Sequence, residues 1–283
     1  MGFKNTLLPV AALLQSKGNL LDLSQPVVMG IINVNPDSFY AESRKQNSDD
    51  VLKQAEKMIH EGAAILDIGG ASTRPGAEII TPEEEQKRIL PAIEAISRQF
   101  PQTWISVDTY HASVAEAAIQ AGAHIVNDIS AGSFDKQMLQ TVARLKVPYI
   151  AMHLRGSAAT MHQPYQYDNI TIEVIDELRK VSDRCQAAGI TDLILDPGFG
   201  FAKKPEQSFE LLNNMGLLRL LGKPLLAGLS RKSMIYKSLG TDATLALNGT
   251  TALNMVALQQ GAQILRVHDV QPAAEAIKLF SML

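Results

Sequence analysis

The sequence predicts an α/β fold: a single (β/α)8 TIM barrel over residues 1–283, with an N-terminal segment closing the bottom of the barrel. Three observations carry that reading. Short apolar runs rich in Val, Ile and Leu recur along the chain, and near-continuous apolarity is what strands buried on both faces require. Stretches with helical period separate them, the pattern of parallel strands joined by crossover helices. The length of 283 residues suits one barrel of roughly 250 residues, and no linker-like or low-complexity stretch divides it. Periodicity leaves an open doubly wound sheet as the alternative.

The N-terminus invites two other readings. Lys4 followed by Leu7 to Leu14 has the outline of a signal peptide, but Pro9 interrupts the apolar run and no small-residue cleavage site follows. Met1-Gly2-Phe3-Lys4-Asn5-Thr6 fits a loose myristoylation pattern, too short to carry weight. The segment is read instead as the closure of the barrel bottom.

The eight strands are expected at 27–34, 64–69, 104–108, 124–129, 148–153, 193–197, 224–230 and 264–268. A helix at 49–60 places Val51, Ala55, Met58 and Ile59 on one side. Another at 82–98 opens with Thr81 as cap, Pro82 in the first turn, and Glu83 and Glu84 against the helix dipole. Gly62, Gly122, Gly189 and Gly261 each precede a strand, where the residue that ends a helix belongs. The stretch 248–260, with its Met255, reads as a core helix, and Trp104 as packing.

Composition narrows the function. A net charge of -3 argues against a nucleic-acid footprint. No run is apolar enough to span a bilayer. The single cysteine, Cys185, cannot form an intrachain disulfide, which suits a reducing, cytoplasmic setting. Small molecules are the expected partners, not nucleic acid or membrane.

Active sites of such barrels lie at the C-terminal ends of the strands, and here almost every strand ends in a polar group. The ends carry, in order, Asn33, Asp67, Asp108, Asn127-Asp128, His153 with Arg155, Asp196, Ser230-Arg231-Lys232-Ser233, and Arg266 with His268. A lone Asp after a strand is usually a turn former or helix cap. Many on one rim read as a ligand pocket, because unpaired buried charge is costly. Asp108, Asn127 and Asp196 suit a flat heterocycle with several N–H donors. Lys232, Arg266, His268 and Arg74 suit a phosphate or carboxylate. Asn33 offers an oxygen to a Mg2+ ion carrying pyrophosphate. His153 and His162 lack a helical metal spacing, and Gly198-Phe199-Gly200 is not a dinucleotide fingerprint.

The series Met29-Gly30-Ile31-Ile32-Asn33-Val34-Asn35-Pro36-Asp37-Ser38-Phe39, then Asp67-Ile68-Gly69-Gly70-Ala71-Ser72-Thr73-Arg74-Pro75-Gly76, resembles the first two signatures of the dihydropteroate synthase family. Ser106-Val107-Asp108-Thr109, Asn127-Asp128-Ile129, Met152-His153, Asp196-Pro197-Gly198-Phe199-Gly200-Phe201, Ser230-Arg231-Lys232-Ser233 and Arg266-Val267-His268-Asp269 follow in that family's order. The resemblance implies that Asp108, Asn127, Asp196 and Lys232 hold a pterin ring. It implies that Asn33, Thr73, Arg74, Arg266 and His268 meet its pyrophosphate, with Asn33 also a Mg2+ ligand. It gives Thr73, Phe201, Lys232 and Ser233 to p-aminobenzoate, for which sulfonamides compete. Asp108, Asp196, Lys232 and Arg74 become the catalytic candidates, in a Mg2+-assisted dissociative displacement, and a homodimer is expected.

The chain departs from the family pattern at Ala41, where an aspartate is usual and Glu42 follows, at Ala71 in place of Glu, and at His111 in place of Lys or Arg. Segments 35–48 and 71–81 are long enough to act as lids. A pterin-dependent methyltransferase could share the Asp108, Asn127 and Asp196 floor, but would not need Thr73-Arg74-Pro75-Gly76 or Ser230-Arg231-Lys232. A pterin-binding protein without catalysis is the other rival.

Overall fold

The structure, a computed structural model, describes residues 13–34, 44–71, 80–161 and 163–283. It opens on a hairpin, β1 (Leu13–Ser16) and β2 (Asn19–Asp22), paired antiparallel. Lys17 and Gly18 both have positive φ (51° and 83°), as a two-residue hairpin turn requires. Strand–helix units follow: β3 (Val27–Asn33), α1 (Arg44–His60), β4 (Ala63–Gly69), α2 (Pro82–Gln99), β5 (Trp104–Asp108) and α3 (Ala112–Ala121). Next come β6 (Ile125–Asp128), α4 (Met138–Leu145), β7 (Tyr149–Met152), α5 (Ile170–Ala188), β8 (Leu193–Asp196) and α6 (Pro205–Asn213). A 3-10 helix (Met215–Leu221) leads to β9 (Leu226–Ala227), α7 (Ser233–Ser238), α8 (Leu247–Gln259), β10 (Ile264–Val267) and α9 (Val270–Phe280).

The sheet order is β8-β7-β6-β5-β4-β3-β10-β9, with parallel pairing throughout. A parallel bridge between Leu195 and Leu225, with Leu195 N donating to Pro224 O at 2.9 Å, joins its two ends. That seam closes the barrel and removes the open-sheet alternative.

Period-two alternation sorts each strand into an inner and an outer set. Met29, Ile65, Trp104, Ile125, Ile150, Ile194, Leu226 and Ile264, one from each barrel strand, form a buried cluster of their own. Leu66, Ile68, Ile105, Val107 and Val126 belong to a second, larger core shared with the helices. The first cluster is the bottom layer of the barrel interior. Leu14 and Leu23 join it from the N-terminal hairpin and its exit. Gln15 N donates to the Asp192 carboxylate (2.7 Å), Gln263 Nε2 to Leu23 O (3.1 Å), and the Lys17 ammonium to Ile119 O. The expected closure of the bottom is therefore this hairpin, whose strands the sequence reading did not resolve.

The expected strand at 224–230 shortens to the two residues of β9. Beyond it the chain leaves the sheet at Gly228 and turns at Arg231, whose φ is 56°. The helix expected at 49–60 begins earlier, at Arg44. Trp104 packs in the bottom layer as expected, and the Met-bearing stretch is α8, burying Asn254, Ala257 and Leu258. The four glycines expected to end helices all have positive φ.

Candidate active site

Two residues above the apolar bottom layer, the inward positions turn polar: Asp67, Ser106, Asn127, Asp196 and Arg266 follow Ile65, Trp104, Ile125, Ile194 and Ile264. Burying polar groups in a barrel is tolerable only if they pair, and here one arginine bridges two of the carboxylates. Arg266 donates from Nε to Asp67 Oδ2 and from Nη2 to Asp108 Oδ2, both at 2.6 Å. Asn127 Nδ2 donates to the same Asp67 oxygen at 3.0 Å. Asp67 is fully buried, yet among the described residues its Oδ1 has no hydrogen-bond partner, nor has Ser106 Oγ. Two N–H groups of Arg266 are used, so the rest of the guanidinium fork can meet an anion.

Asp196 closes the other side of this floor. Its Oδ1 accepts from Gly198 N at 2.7 Å. Its Oδ2 and the Lys232 ammonium approach the same point above Gly228, at 3.9 and 3.8 Å from where a Cβ would stand. Lys232 also donates to Phe199 O and lies 4.9 Å above the Phe201 ring centroid, a cation–π contact.

The electrostatics follow from burial. Burial pushes the Asp108 carboxyl up; Arg266 opposes the shift, and Asp67, Asp128 and Asp196 reinforce it. Burial likewise raises Asp196 against the pull of Lys232. Burial lowers the Lys232 ammonium to about 8, with Asp196 opposing and Arg266 assisting. Burial works against the Arg266 charge too, but Asp67 and Asp108 more than restore it. The result is a floor of alternating charge whose carboxylates and cations regulate one another.

The rim places the remaining expected residues. Asn33 ends β3, exposed, in register with Gly69, which is itself in register with Asp108. His268 is exposed beyond β10, with Nδ1 3.0 Å from Ser230 Oγ, while its backbone N donates to that same oxygen. Ser233 opens α7 directly after Lys232. Thr73, Arg74, Ala41 and Glu42, with most of both expected lids, lie outside the described residues. His111 precedes α3 and its ring lies tilted against that of Tyr110, 4.5 Å between centroids.

Several motif residues prove structural. Asp128 points away from the floor and accepts from Ser130 N, Gly132 N and Tyr149 Oη. Arg231 pairs with Asp269 through two 2.8 Å bonds and donates to Ala243 O and Thr244 O, tying the loops after β9 and β10 together. His153 is buried between Glu177 and Lys203 and is not part of a metal cluster; no metal-binding group of His, Cys, Asp and Glu occurs among the described residues. Sequence reasoning named Asp67 on its strand without giving it a place in the site. Its signal was the alternation Ile65, Asp67, Gly69.

Residues 29–268 match the family described as pterin binding enzyme. Over 266 residues the chain is 42% identical to the dihydropteroate synthase of Escherichia coli (strain K12), covering 93% of this chain and 94% of that one. The structure superposes on Xanthomonas albilineans dihydropteroate synthase with 4-aminobenzoic acid at a TM-score of 0.89 and 37% identity, covering 96% of this chain and 98% of the other. For Yersinia pestis dihydropteroate synthase with a sulfonamide drug complex the TM-score is 0.88 and the identity 40%, covering 95% and 98%.

Proposed function

Because the chain belongs to the pterin-binding enzymes, and among them to the dihydropteroate synthases, we propose that it condenses 6-hydroxymethyl-7,8-dihydropterin pyrophosphate with p-aminobenzoate. The products are 7,8-dihydropteroate and pyrophosphate, and the chain is a transferase of folate biosynthesis. The observation that carries this is the polar floor above an apolar bottom: Asp108 and Asn127 linked through Arg266 and Asp67, with Asp196 and Lys232 on the other side. A flat heterocycle rich in N–H groups finds acceptors there, and its anionic tail finds cations toward the rim.

The pterin lies on Asp108, Asn127, Asp196 and Lys232. Its pyrophosphate meets Arg266, His268 and Asn33 at the rim, with Thr73 and Arg74 from the second loop. p-Aminobenzoate sits against Phe201, Lys232, Ser233 and Thr73. A sulfonamide would compete there, which agrees with the drug complex of the Yersinia pestis relative. A homodimer and a cytoplasmic site of action belong to the same reading.

Asn33 fits a Mg2+ ion. It presents a neutral oxygen at an exposed strand end, and Mg2+ is usually held by few protein oxygens together with substrate phosphates. Such an ion would help neutralise the leaving pyrophosphate. The chain's own residues do the rest. Asp108 and Asp196 face a ring that becomes positive as the methylene C–O bond breaks and its electron pair leaves with pyrophosphate. Arg266 and Lys232 oppose the rise that burial gives these two carboxyls, and in the ionised form they favour that state without reorganisation. Arg266 and His268 receive the developing anion. The amine of p-aminobenzoate is neutral near pH 7, so its lone pair forms the C–N bond without a strong base, and the proton it sheds can leave on pyrophosphate.

A coupled assay tests the reading. Purified protein receives the pterin pyrophosphate, Mg2+ and p-aminobenzoate, and dihydropteroate and pyrophosphate are both quantified beside Lys232→Ala. Equal amounts of both products, falling by at least about 100-fold in the variant, are expected. Pterin binding with neither product formed by the wild type would sink it.

A further inference from the structure

The loop after β8 has an unusual backbone. Gly198, Gly200 and Ala202 all have positive φ, at 68°, 77° and 52°. A Cβ on Gly198 would stand 2.2 Å from His153 O, so only glycine fits. Left-handed geometry at a residue such as Ala202 costs on the order of 1 kcal/mol or more and persists only where its surroundings enforce it. Ala202 itself is held by its N donating to Met161 O at 2.8 Å and its O accepting from Tyr165 N at 3.1 Å, and the carbonyls that precede it in the loop are held by Lys203, whose side chain turns back under them. It is 5% exposed, and its Nζ reaches Gly198 O at 2.9 Å, Phe201 O at 3.1 Å and His153 Nδ1 at 2.9 Å.

Three acceptors around one nitrogen match the three N–H groups of an ammonium; a neutral amine has only two. The imidazole then accepts at Nδ1 and donates from Nε2 to Glu177 Oε2 at 3.0 Å. Burial and the neighbouring Lys203 hold His153 neutral, down to about 4. Glu177 is in turn fixed by Arg155, which also pairs with Glu173 on α5. Burial lowers Lys203 to about 7 and Asp196 opposes that shift; Lys232, Glu177 and Arg155 are the other charges that face it. The chain of contacts runs from α5 through the end of β7 into the loop that supplies Phe199 O and the Phe201 ring to Lys232.

We propose that Lys203 is a positioning residue for the p-aminobenzoate end of the site: it pins the two carbonyls of the β8 loop and so sets the Phe201 ring and the seat of Lys232. This rests on the functional reading above. Lys203 touches neither substrate. Its removal should therefore act mainly on the aromatic amine and less on the pterin: Asp108, Asn127 and Asp196, three of the four pterin residues, stand on strands, and only Lys232 meets the loop.

The test is Lys203→Met, which keeps the length and loses the three donors. Steady-state kinetics give the KM for p-aminobenzoate, and calorimetry without p-aminobenzoate gives the Kd of the pterin pyrophosphate. The expected result is a KM raised by about tenfold or more with a Kd changed by no more than about threefold. Equal losses in both, or an unchanged KM beside a wild-type enzyme that makes product, would overturn the positioning role. A wild type that makes no dihydropteroate would overturn the functional reading and this inference together. His153→Leu removes one of the three acceptors and serves as the second variant if Lys203→Met does not fold. It should show the same bias toward p-aminobenzoate at smaller size. Where both fold, their combination should be no worse than Lys203→Met alone; additive effects would break the link between them.

Discussion

Glu85 lies on α2 against Gly70, 1% exposed. Thr109 Oγ1 donates to its Oε2 at 3.1 Å, while Oε1 has no partner among the described residues. Burial pushes this carboxyl from its ordinary 4.5 up to about 8, against the Thr109 hydrogen bond and with Asp108 adding to the rise. A folded pKa above the unfolded one means that the folded state holds its proton longer. The stability that Glu85 lends is whole below about 4.5 and drains away as pH climbs toward 8. Glu85→Gln removes the ionisation and keeps the shape. At pH 9 the variant should be more stable than wild type by about 2–4 kcal/mol, and at pH 4 it should show no gain. Urea denaturation at both pH values measures this, and a gain independent of pH would refute the buried-carboxyl account. Lys203 makes the complementary point. It stands beside Lys204 in the chain, one buried and one exposed, and nothing in the dipeptide distinguishes them. The difference comes from a backbone turn that only the fold supplies.

Elements were more legible than residues where local chemistry specifies them. α2 begins where its signals put it: Thr81 caps it by accepting from Glu84 N at 3.3 Å, Pro82 enters the first turn, and Glu83 and Glu84 stand in that turn at the positive helix end. Thr81→Ala should therefore cost about 1 kcal/mol, read as a lower urea midpoint at unchanged slope; no change would mean that tertiary packing, not the cap, fixes the helix start. The eight barrel strands were visible as apolar runs because each is buried on both faces. The same continuity hid their alternation, and with it Asp67, whose neighbours Leu66 and Ile68 face helices while it faces the site. β1 and β2 stayed hidden for another reason. β1 alternates in burial over only four residues and β2 is exposed or half-buried throughout, and the side chains that matter, Leu14 and Leu23, acquire meaning only against eight strand starts that are distant in sequence. β9 was overestimated because apolarity continues through Leu229 after the hydrogen-bonded ladder has ended.

At the scale of the whole molecule the barrel separates two tasks along its axis. The lower interior is an apolar layer drawn from all eight barrel strands and stoppered by the N-terminal hairpin. The upper interior is the charged floor on Asp67, Asp108, Asn127, Asp196 and Arg266. Substitutions at the two ends should therefore separate in their effects. Leu14 is 1% exposed and packs among the strand starts, so Leu14→Ala leaves a cavity that two opposed layers cannot fully collapse. The expected loss is about 3 kcal/mol, within the usual 2–5 for such truncations. Below its melting temperature the variant should keep the wild-type KM for p-aminobenzoate and the wild-type pterin affinity, because the polar floor rests on strand hydrogen bonds and the Arg266 network rather than on the stopper. Chemical denaturation and steady-state kinetics on one preparation check both halves. A rise in either substrate constant at a temperature where the variant is fully folded would mean that the bottom layer sets the register of the floor, and that the two ends of the barrel are coupled through the strands between them.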